Sequence, residues 1–159
     1  MTAQAWIERF DLQPHPEGGW YRELHRSVVE VQRLDDRQPR CGLTLIVFLL
    51  QAGECSRWHR VIGADEIWSY AAGAPLELWR LPPTGGRQER LTLGPFDAAD
   101  PDQSPLQMVA ANWWQAARSL GAWSLVHCSV GPGFAFEDFS LLADVGAADQ
   151  PAGADPRFL

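Results

Sequence analysis

Turn residues separate short strand-forming segments along most of this chain. The segments 76–81 and 88–93, for example, flank the sequence Pro-Pro-Thr-Gly-Gly, in which proline and glycine favour a hairpin turn. Similar interruptions recur from position 43 to position 142. Short strands at such close spacing are typical of an antiparallel sandwich or barrel, so we predict an all-β domain.

The predicted elements begin with one short helix over residues 3–10, which Thr2 can cap. The segment 43–50 carries β-branched and aromatic residues and no charge, which makes it the best candidate for a strand buried on both faces. The polar segment 32–42 is predicted to be an exposed loop. Further strands are predicted at 20–25, 57–61, 66–71, 76–81, 88–93, 106–111, 113–117, 123–130 and 139–142.

The composition indicates a single globular domain. The chain has 159 residues, of which 46% are hydrophobic, enough for one sizeable core. We place the domain at 1–145 and expect the Ala/Gly/Pro-rich tail at 146–159 to be loose. The net charge of -7 argues against nucleic acid and membrane surfaces as partners, because phosphate binding needs clustered Lys and Arg.

Cysteine usage and hydropathy give an expectation for location. The longest apolar run, 43–50, is too short to cross a bilayer, and the first residues lack the basic and apolar regions of a signal peptide. The three cysteines are an odd number without a CxxC pair, which favours free thiols in a reducing compartment. We therefore expect a cytoplasmic protein.

One spaced set of residues points to a particular chemistry. Gly53, His59, Glu66 and Gly73 follow the spacing Gly, five residues, His, one residue, His, four residues, Glu, six residues, Gly. This pattern resembles the first motif of the cupin superfamily. Val61 stands where that motif has its second histidine.

The chain as a whole resembles the DUF985 family of cupins, also called cupin_5. The resemblance covers roughly residues 5–142 and is carried by HPEGGWYRE at 15–23, SRWHR at 56–60, DEIW at 65–68 and PGFAFEDF at 132–139. It implies a double-stranded β-helix, the RmlC-like jelly roll, with a short N-terminal helix. It also implies a cavity between the sheets and a homodimer, but no particular reaction, since the family's activity is uncharacterised.

The same resemblance bears on metal binding. The second cupin motif normally ends in a histidine, and an alignment by the preceding strand places Ala110, Asn112 and Gln115 at its Pro, Gly and His positions. Transition metals favour several imidazole, carboxylate or thiolate ligands, and a valine and an amide replace two imidazoles here. We expect no cofactor, or at most a weakly bound divalent metal held by His59, Glu66 and Gln115.

The resemblance and the residue chemistry together suggest a set of site residues. A buried histidine beside a glutamate can act as a base, and tyrosine can donate a proton. We take His59, Glu66 and Tyr21 as catalytic candidates, with Tyr70 as an alternative proton donor. The candidate ligand-binding residues are Glu17, Ser56, Arg57, Arg60, Trp68 and Gln115.

Several expectations describe the cavity itself. It should open near the turns at Gly53 and Gly63, and tryptophan faces should form part of its wall. The turn at 15–19 should place Glu17 at its mouth, whereas His15 and the phenylalanines of 132–139 are interpreted as structural. An alternative remains open, in which His59 and Glu66 form a buried pair left from an ancestral site.

Three functions are compatible with the sequence. The first is a cavity that binds a small, sugar-like molecule, with isomerase or epimerase activity that needs no metal, as in related cupin sugar-nucleotide epimerases that use a histidine base. The second is a metal-dependent, dioxygenase-like cupin with a degenerate site. The third is a binding module without catalysis.

Overall fold

The computed structural model describes residues 1–35 and 37–159, and most of its regular elements are β-strands. One sheet, sheet A, has the strand order β1-β2-β5-β13-β7-β11, and a second, sheet B, has the order β10-β9-β8-β12-β6-β14. Every pairing except that of β9 with β10 is antiparallel.

The strands are β1 (Gln13–Pro14), β2 (Trp20–Arg26), β3 (Glu30–Val31), β4 (Arg40–Cys41), β5 (Thr44–Gln51), β6 (Cys55–Val61), β7 (Asp65–Gly73), β8 (Leu76–Leu81), β9 (Glu89–Leu93), β10 (Gln103–Ser104), β11 (Leu106–Val109), β12 (Trp114–Ser119), β13 (Trp123–Gly131) and β14 (Phe139–Leu141). Three short 3₁₀ helices, Phe136–Asp138, Leu142–Asp144 and Pro156–Phe158, complete the fold.

The N-terminal helix has the predicted bounds. Helix α1 (Ala3–Phe10) begins after Thr2, whose side chain accepts a hydrogen bond from the backbone N–H of Ala5. Such a cap satisfies one of the amide groups that the first turn leaves unpaired. The apolar face of α1 packs with Val47, Leu49 and Leu125 on the outer face of sheet A. One half of that sheet is therefore buried on both faces.

The space between the two sheets is filled at one end only. There Phe48, Leu50 and Trp68 pack against Leu76 and Leu78 of the opposite sheet. At the other end the inward-facing residues of the same strands are Thr44, Ile46 and Glu66, and they line a cavity. Because side chains two apart in a strand share a face, β5 and β7 each contribute first to the cavity and then to the core.

The C-terminal segment differs from its prediction as a loose tail. Phe158 is only 2% exposed and packs with Trp58 and Leu142 on the outer face of sheet B. The indole N–H of Trp58 donates to the backbone oxygen of Asp155 at 2.9 Å. The tail covers indole and leucine surface that would otherwise face water, and composition alone does not reveal such a docking site.

The segment 32–42 also departs from the expected exposed loop, although position 36 lies outside the described residues. Arg33 is 9% exposed, and β4 (Arg40–Cys41) pairs with β3 (Glu30–Val31). The cause is an ion-pair cluster around Asp138, which draws the arginine side chains of this segment inward.

Two further expectations concern cysteines and membranes. Cys41, Cys55 and Cys128 are all free thiols. No helix of the described residues is long and apolar enough to cross a bilayer.

Candidate functional site

The hollow end of the sandwich is a cavity of about 490 Å³. A volume of this size suits a small organic ligand. Its interior is formed by β5, β6, β7 and β13, and its mouth by the N-terminal segment and the segment 134–139. The lining residues are Asp11, Gln13, His15, Glu17, Tyr21, Arg22, Glu23, Arg26, Thr44, Ile46, His59, Val61, Glu66, Cys128, Val130, Phe134, Ala135, Phe136 and Phe139.

Glu17 lies inside this cavity because the turn before β2 is held tightly against β6. Gly18 has a φ of 109°, and a Cβ on it would stand 2.2 Å from the backbone oxygen of Cys55, so only glycine fits there. The backbone N–H of Arg57 donates to the backbone oxygen of Glu17 at 2.8 Å. The Arg57 guanidinium donates to the backbone oxygen of Pro16 at 2.6 Å. Glu17 is consequently 6% exposed rather than at an open mouth.

A β-bulge in β6 decides which side chains face the cavity. Gln115 pairs with His59, but Ala117 pairs with Ser56, so β6 holds one extra residue between these two pairs. A bulge of this kind breaks the alternation of faces. Ser56 and His59, three residues apart, therefore both point to the same carboxyl group, that of Glu17.

Two predicted anion-binding arginines do not line the cavity. The bulge takes Arg57 out of the alternation with His59, whereas Arg60 lies between His59 and Val61, which both face the cavity, so ordinary alternation turns it outward. Arg57 is used to hold the oxygen of Pro16. The Arg60 guanidinium lies over the ring of Trp114, 4.4 Å from its centroid. The arginines that do reach the cavity are Arg22 and Arg26 of β2, which the motif spacing gave no reason to select.

Glu17 and His59 share one hydrogen. The Ser56 hydroxyl donates to Oε1 of Glu17 at 2.9 Å, and Nε2 of His59 lies 3.2 Å from Oε2. Nδ1 of His59 lies 2.8 Å from the backbone oxygen of Arg57. A carbonyl oxygen only accepts, so Nδ1 carries a hydrogen, and the contact between Nε2 and Oε2 needs one more hydrogen on either atom.

Burial determines where that hydrogen lies. It raises the pKa of Glu17 to about 8, against the opposing effects of the Ser56 hydrogen bond and the Arg57 charge. It also lowers the pKa of His59, although the charge of Glu66 and the bond to the Arg57 oxygen act in the other direction. Both shifts favour a protonated Glu17 that donates to a neutral His59 at neutral pH.

His15 is a member of the site that the sequence analysis assigned to structure. Its Nδ1 accepts the backbone N–H of Glu17 at 3.2 Å and lies 3.3 Å from Oε2 of the same residue. Burial, and then the neighbouring His59, lower the pKa of His15 to about 3. Its position in HPEGG, two residues before Glu17, was the available signal, but a turn accounts for that sequence equally well.

Glu66 is held from behind by Gln115. The amide nitrogen of Gln115 donates to Oε2 of Glu66, and its amide oxygen accepts the indole N–H of Trp68 at 2.8 Å. Burial raises the pKa of Glu66 to about 7, opposed first by the charge of His59 and also by the Gln115 hydrogen bond. Neither Gln115 nor Trp68 is among the described residues that line the cavity. Both residues therefore act behind its wall.

The four positions of a cupin metal site do not suit a metal here. Val61 has no donor atom, and both ends of the Gln115 amide are engaged by Trp68 and Glu66. Within residues 1–35 and 37–159, no group of three or more His, Cys, Asp or Glu side chains is arranged to hold an ion. His59 and Glu66 alone are fewer ligands than a transition metal usually takes.

Phenylalanines rather than tryptophans form the aromatic wall. Phe139 stacks on His59, with ring centroids 5.5 Å apart, and Phe136 stacks on His15 at 6.3 Å. Tyr21 meets the edge of His15 at 4.5 Å. The described lining contains no tryptophan. The indoles of Trp58, Trp68 and Trp114 instead fill the cores inside and outside the sandwich.

Two other expectations about the cavity are corrected. Gly53 and Gly63 are absent from its described lining, in which residues 134–136 form part of the mouth. Tyr70 is likewise outside it, and its hydroxyl donates to the backbone oxygen of Gly73 at 2.8 Å. Tyr21 remains as the tyrosine of the cavity, and Val61 lies there beside His59, as strand alternation predicts.

Known structures share both the fold and much of the sequence. A crystal structure of a protein from Shewanella oneidensis is 34% identical, covers 89% of this chain and 84% of that chain, and superposes with a TM-score of 0.79. A hypothetical protein from Leishmania major is 30% identical, with coverages of 88% and 86% and a TM-score of 0.79. An oxalate decarboxylase from Lactobacillus farciminis shares the fold alone, at 19% identity, coverages of 84% and 34% and a TM-score of 0.56.

No curated protein is detectably similar to this chain. The model of the family described as "Cupin superfamily (DUF985)" matches residues 4–142, close to the range that the sequence stretches indicated. With two relatives of at least 30% identity along most of its length, and with two facing antiparallel sheets around a cavity, the chain belongs to the DUF985 family of the cupin superfamily.

Proposed function

We propose that this protein binds a small, sugar-like molecule in the cavity and catalyses its isomerisation or epimerisation by acid–base chemistry without a metal. The observation that carries the proposal is the hydrogen shared by Glu17 and His59 at the inner end of the cavity. Acid–base catalysis is most effective when the group titrates near the working pH. Burial brings the pKa of Glu17 to about 8 and that of Glu66 to about 7.

The proposed reaction is a proton transfer at a carbon next to a carbonyl group. His59 Nε2, freed from Glu17 by the substrate, takes the proton as the C–H bond breaks. The carbonyl oxygen then takes a proton from Glu17 or from Tyr21, which gives a neutral enol. Solvent water then protonates the carbon from its other face, and the enol hydroxyl returns its proton to Glu17 or Tyr21. His59 gives the proton that it took to the hydroxide left by the water, so the epimer forms and the protein is restored.

The surroundings support these roles. The Arg57 oxygen holds His59 in the tautomer whose Nε2 faces Glu17. Glu66 makes His59 more basic through its charge, and Gln115 fixes the carboxyl group of Glu66. Phe136 and Phe139 offer ring faces on which the apolar face of a cyclic sugar can pack.

Isotope exchange tests the reaction without knowledge of the product. Free sugars, sugar acids and sugar nucleotides are incubated with the protein in D₂O, and proton NMR follows the loss of C–H signals next to carbonyl groups. We expect exchange in at least one compound, and a loss of at least about 100-fold in rate for His59→Ala, the usual scale of one acid–base group. His127→Ala is the control, because His127 is outside the described cavity lining.

A matched pair of tyrosine variants tests the proton donor. Tyr21→Phe should slow exchange, whereas Tyr70→Phe should not, because only the first lines the cavity. Binding of a compound without any exchange, unchanged by His59→Ala, would contradict the enzyme and favour the binding module.

We also propose that the chain assembles as a homodimer. The support is an apolar strip on sheet A, where Ile67 pairs with Met108 of the edge strand β11. Ile67, Leu106 and Met108 are 43%, 58% and 51% exposed. Edge strands with exposed apolar side chains invite pairing with another chain. Light scattering should give twice the chain mass, and Met108→Glu should shift it towards the monomer; a monomeric wild type would contradict the proposal.

A further inference from the structure

Asp138 lies between the two phenylalanines that cover the histidines of the cavity. Phe136 stacks on His15, and Phe139 stacks on His59. Both rings line the cavity, whereas Asp138 is not among the described lining residues. Its side chain is directed instead to the arginine-rich segment 33–40, outside the cavity.

Three guanidinium groups from that segment converge on the Asp138 carboxylate. Arg33 and Arg40 each contact Oδ2 at 2.8 Å, and Arg37 contacts Oδ1 at 3.4 Å. The Asp138 and Arg33 side chains are 7% and 6% exposed. Hydrogen bonds between buried charged groups are among the strong ones, so these contacts can fix a backbone segment.

Other contacts hold the aromatic segment near both ends, and one of them reaches the Asp138 backbone, whose oxygen accepts the N–H of Ile62 at 2.8 Å. Before it, the N–H of Phe134 donates to Thr44 Oγ1 at 2.9 Å, and Arg26 donates to the Phe134 oxygen at 3.0 Å. After it, Phe139 is paired with β6. Phe136 in the middle is 53% exposed, so burial does little to hold its ring over His15.

We propose that Asp138 is a positioning residue for the cavity, which holds Phe136 and Phe139 against His15 and His59 through its three arginine partners. The segment 33–40, whose described residues do not line the cavity, thereby sets the shape and the access of the ligand site. This rests on the proposed function only in treating the cavity as a ligand site.

The chain offers a matched control in Glu77. Its side chain is 6% exposed, comparable to that of Asp138, and it too is contacted by arginines, Arg118 at 2.6 Å and Arg90 at 3.4 Å. It is on β8, and it is absent from the described cavity lining. Loss of its charge should destabilise the fold without moving the aromatic wall.

Alkylation of Cys128 measures access to the cavity without any ligand. Cys128 lines the cavity and is 2% exposed, so it reacts only when the wall moves. Wild type, Asp138→Asn and Glu77→Gln are treated with N-ethylmaleimide, and peptide mass spectrometry follows modification of Cys128. We expect the rate to rise at least about tenfold in Asp138→Asn and to stay within about twofold of wild type in Glu77→Gln, because local opening is coupled to local contacts.

Two results would overturn the proposal. One is an unchanged Cys128 rate in Asp138→Asn, and the other is an equal rise in Glu77→Gln, which would show that overall stability alone controls access. If Asp138→Asn does not fold, Arg40→Gln serves instead, because Arg33 can still hold Asp138 in that variant. A Cys128 alkylation rate in Arg40→Gln no higher than in Glu77→Gln would count against the proposal. None of these results depends on isotope exchange, so the proposed reaction is tested separately.

Discussion

Asp138 and Glu17 are buried to a similar degree, at 5% and 6% exposure, yet they have opposite electrostatic surroundings. Burial alone would raise the pKa of Asp138, but hydrogen bonds from Arg40 and Arg33 lower it overall. Glu17 has a serine and two histidines around it, and burial raises its pKa to about 8. The partners rather than the depth decide the charge of a buried carboxyl group.

The comparison separates two uses of buried acids in one small domain. At Asp138 the negative charge is matched by cations, so the group ties segments together. At Glu17 and Glu66 the shifts to about 8 and about 7 leave carboxyl groups that exchange protons near neutral pH. Perturbed pKa values in a cavity are typical of functional sites, and ion-paired acids are typical of structural ones.

The largest expected effect comes from removal of the carboxylate at Asp138. Asp138→Ala leaves buried Arg33 without its partner, and loss of one member of a buried ion pair costs about 3–5 kcal/mol. Glu17→Gln should not lower the free energy of unfolding at pH 7, because a glutamine resembles the protonated acid and needs no proton uptake on folding. Urea denaturation of both variants checks the contrast; equal losses would abolish it.

Gln115→Leu should have the next largest effect. It leaves the Trp68 indole N–H and the Glu66 carboxyl group without a partner, and each unsatisfied buried group costs about 1–3 kcal/mol. The pKa of Glu66 should also rise above about 7, because the Gln115 hydrogen bond lowers it. Carbon NMR of labelled glutamate follows that titration. Gln107→Leu, which removes one bond to the Thr92 oxygen, is the control.

Between pH 6.5 and 8 the free energy of unfolding should fall. The pKa of Glu17 rises from 4.5 to about 8 on folding, so across this range the native state holds a proton that the unfolded state has lost. Each such proton contributes a slope of about 1.4 kcal/mol per pH unit. His15 adds a slope of the opposite sign at the lower end of this range and below it, since its pKa is lowered from 6.5 to about 3 and the unfolded imidazole still holds part of a proton there.

Glu17→Gln should remove the part of this fall in the free energy of unfolding that Glu17 contributes. Urea denaturation at three pH values within the range measures the difference between variant and wild type, and slopes common to both cancel. A wild type whose stability rises with pH, or a variant with an unchanged slope, would show that Glu17 is already ionised in the native state.

Removal of metal should have the smallest effect. Val61 and the engaged amide of Gln115 replace two ligands, so elemental analysis should give far less than one transition metal per chain, and chelation should leave the melting temperature unchanged. The double variant Val61→His, Gln115→His should gain metal. Stoichiometric metal in the wild type, lost in His59→Ala, would instead favour the metal-dependent cupin.

Local sequence was sufficient for most elements of the fold. The helix 3–10 and the strand 76–81 were predicted with the observed bounds, because a cap, helical spacing and alternation act within a few residues. The spacing of Gly53, His59, Glu66 and Gly73 indicated the family for the same reason, since it spans only β6, β7 and the turns beside them, which follow one another along the chain.

The composition of the site was decided by contacts between distant segments. A bulge in β6 turned Arg57 away from the cavity and placed Ser56 beside Glu17, although alternation had favoured another arrangement. Sequence could name Glu17 and His59 as candidates, but the hydrogen between them depends on a turn that closes against a strand some 40 residues away.

The tertiary structure also decided which groups are charged. Sequence assigns ordinary carboxyl groups to Glu17 and Asp138 alike, and only their distant neighbours, histidines and a serine in one case and arginines in the other, shift their pKa values in opposite directions. Strand formation depends on residues close in sequence, whereas electrostatic energy depends on distance in space. The sequence by itself therefore determined the family and the strand pattern, and packing alone selected the groups that can move a proton.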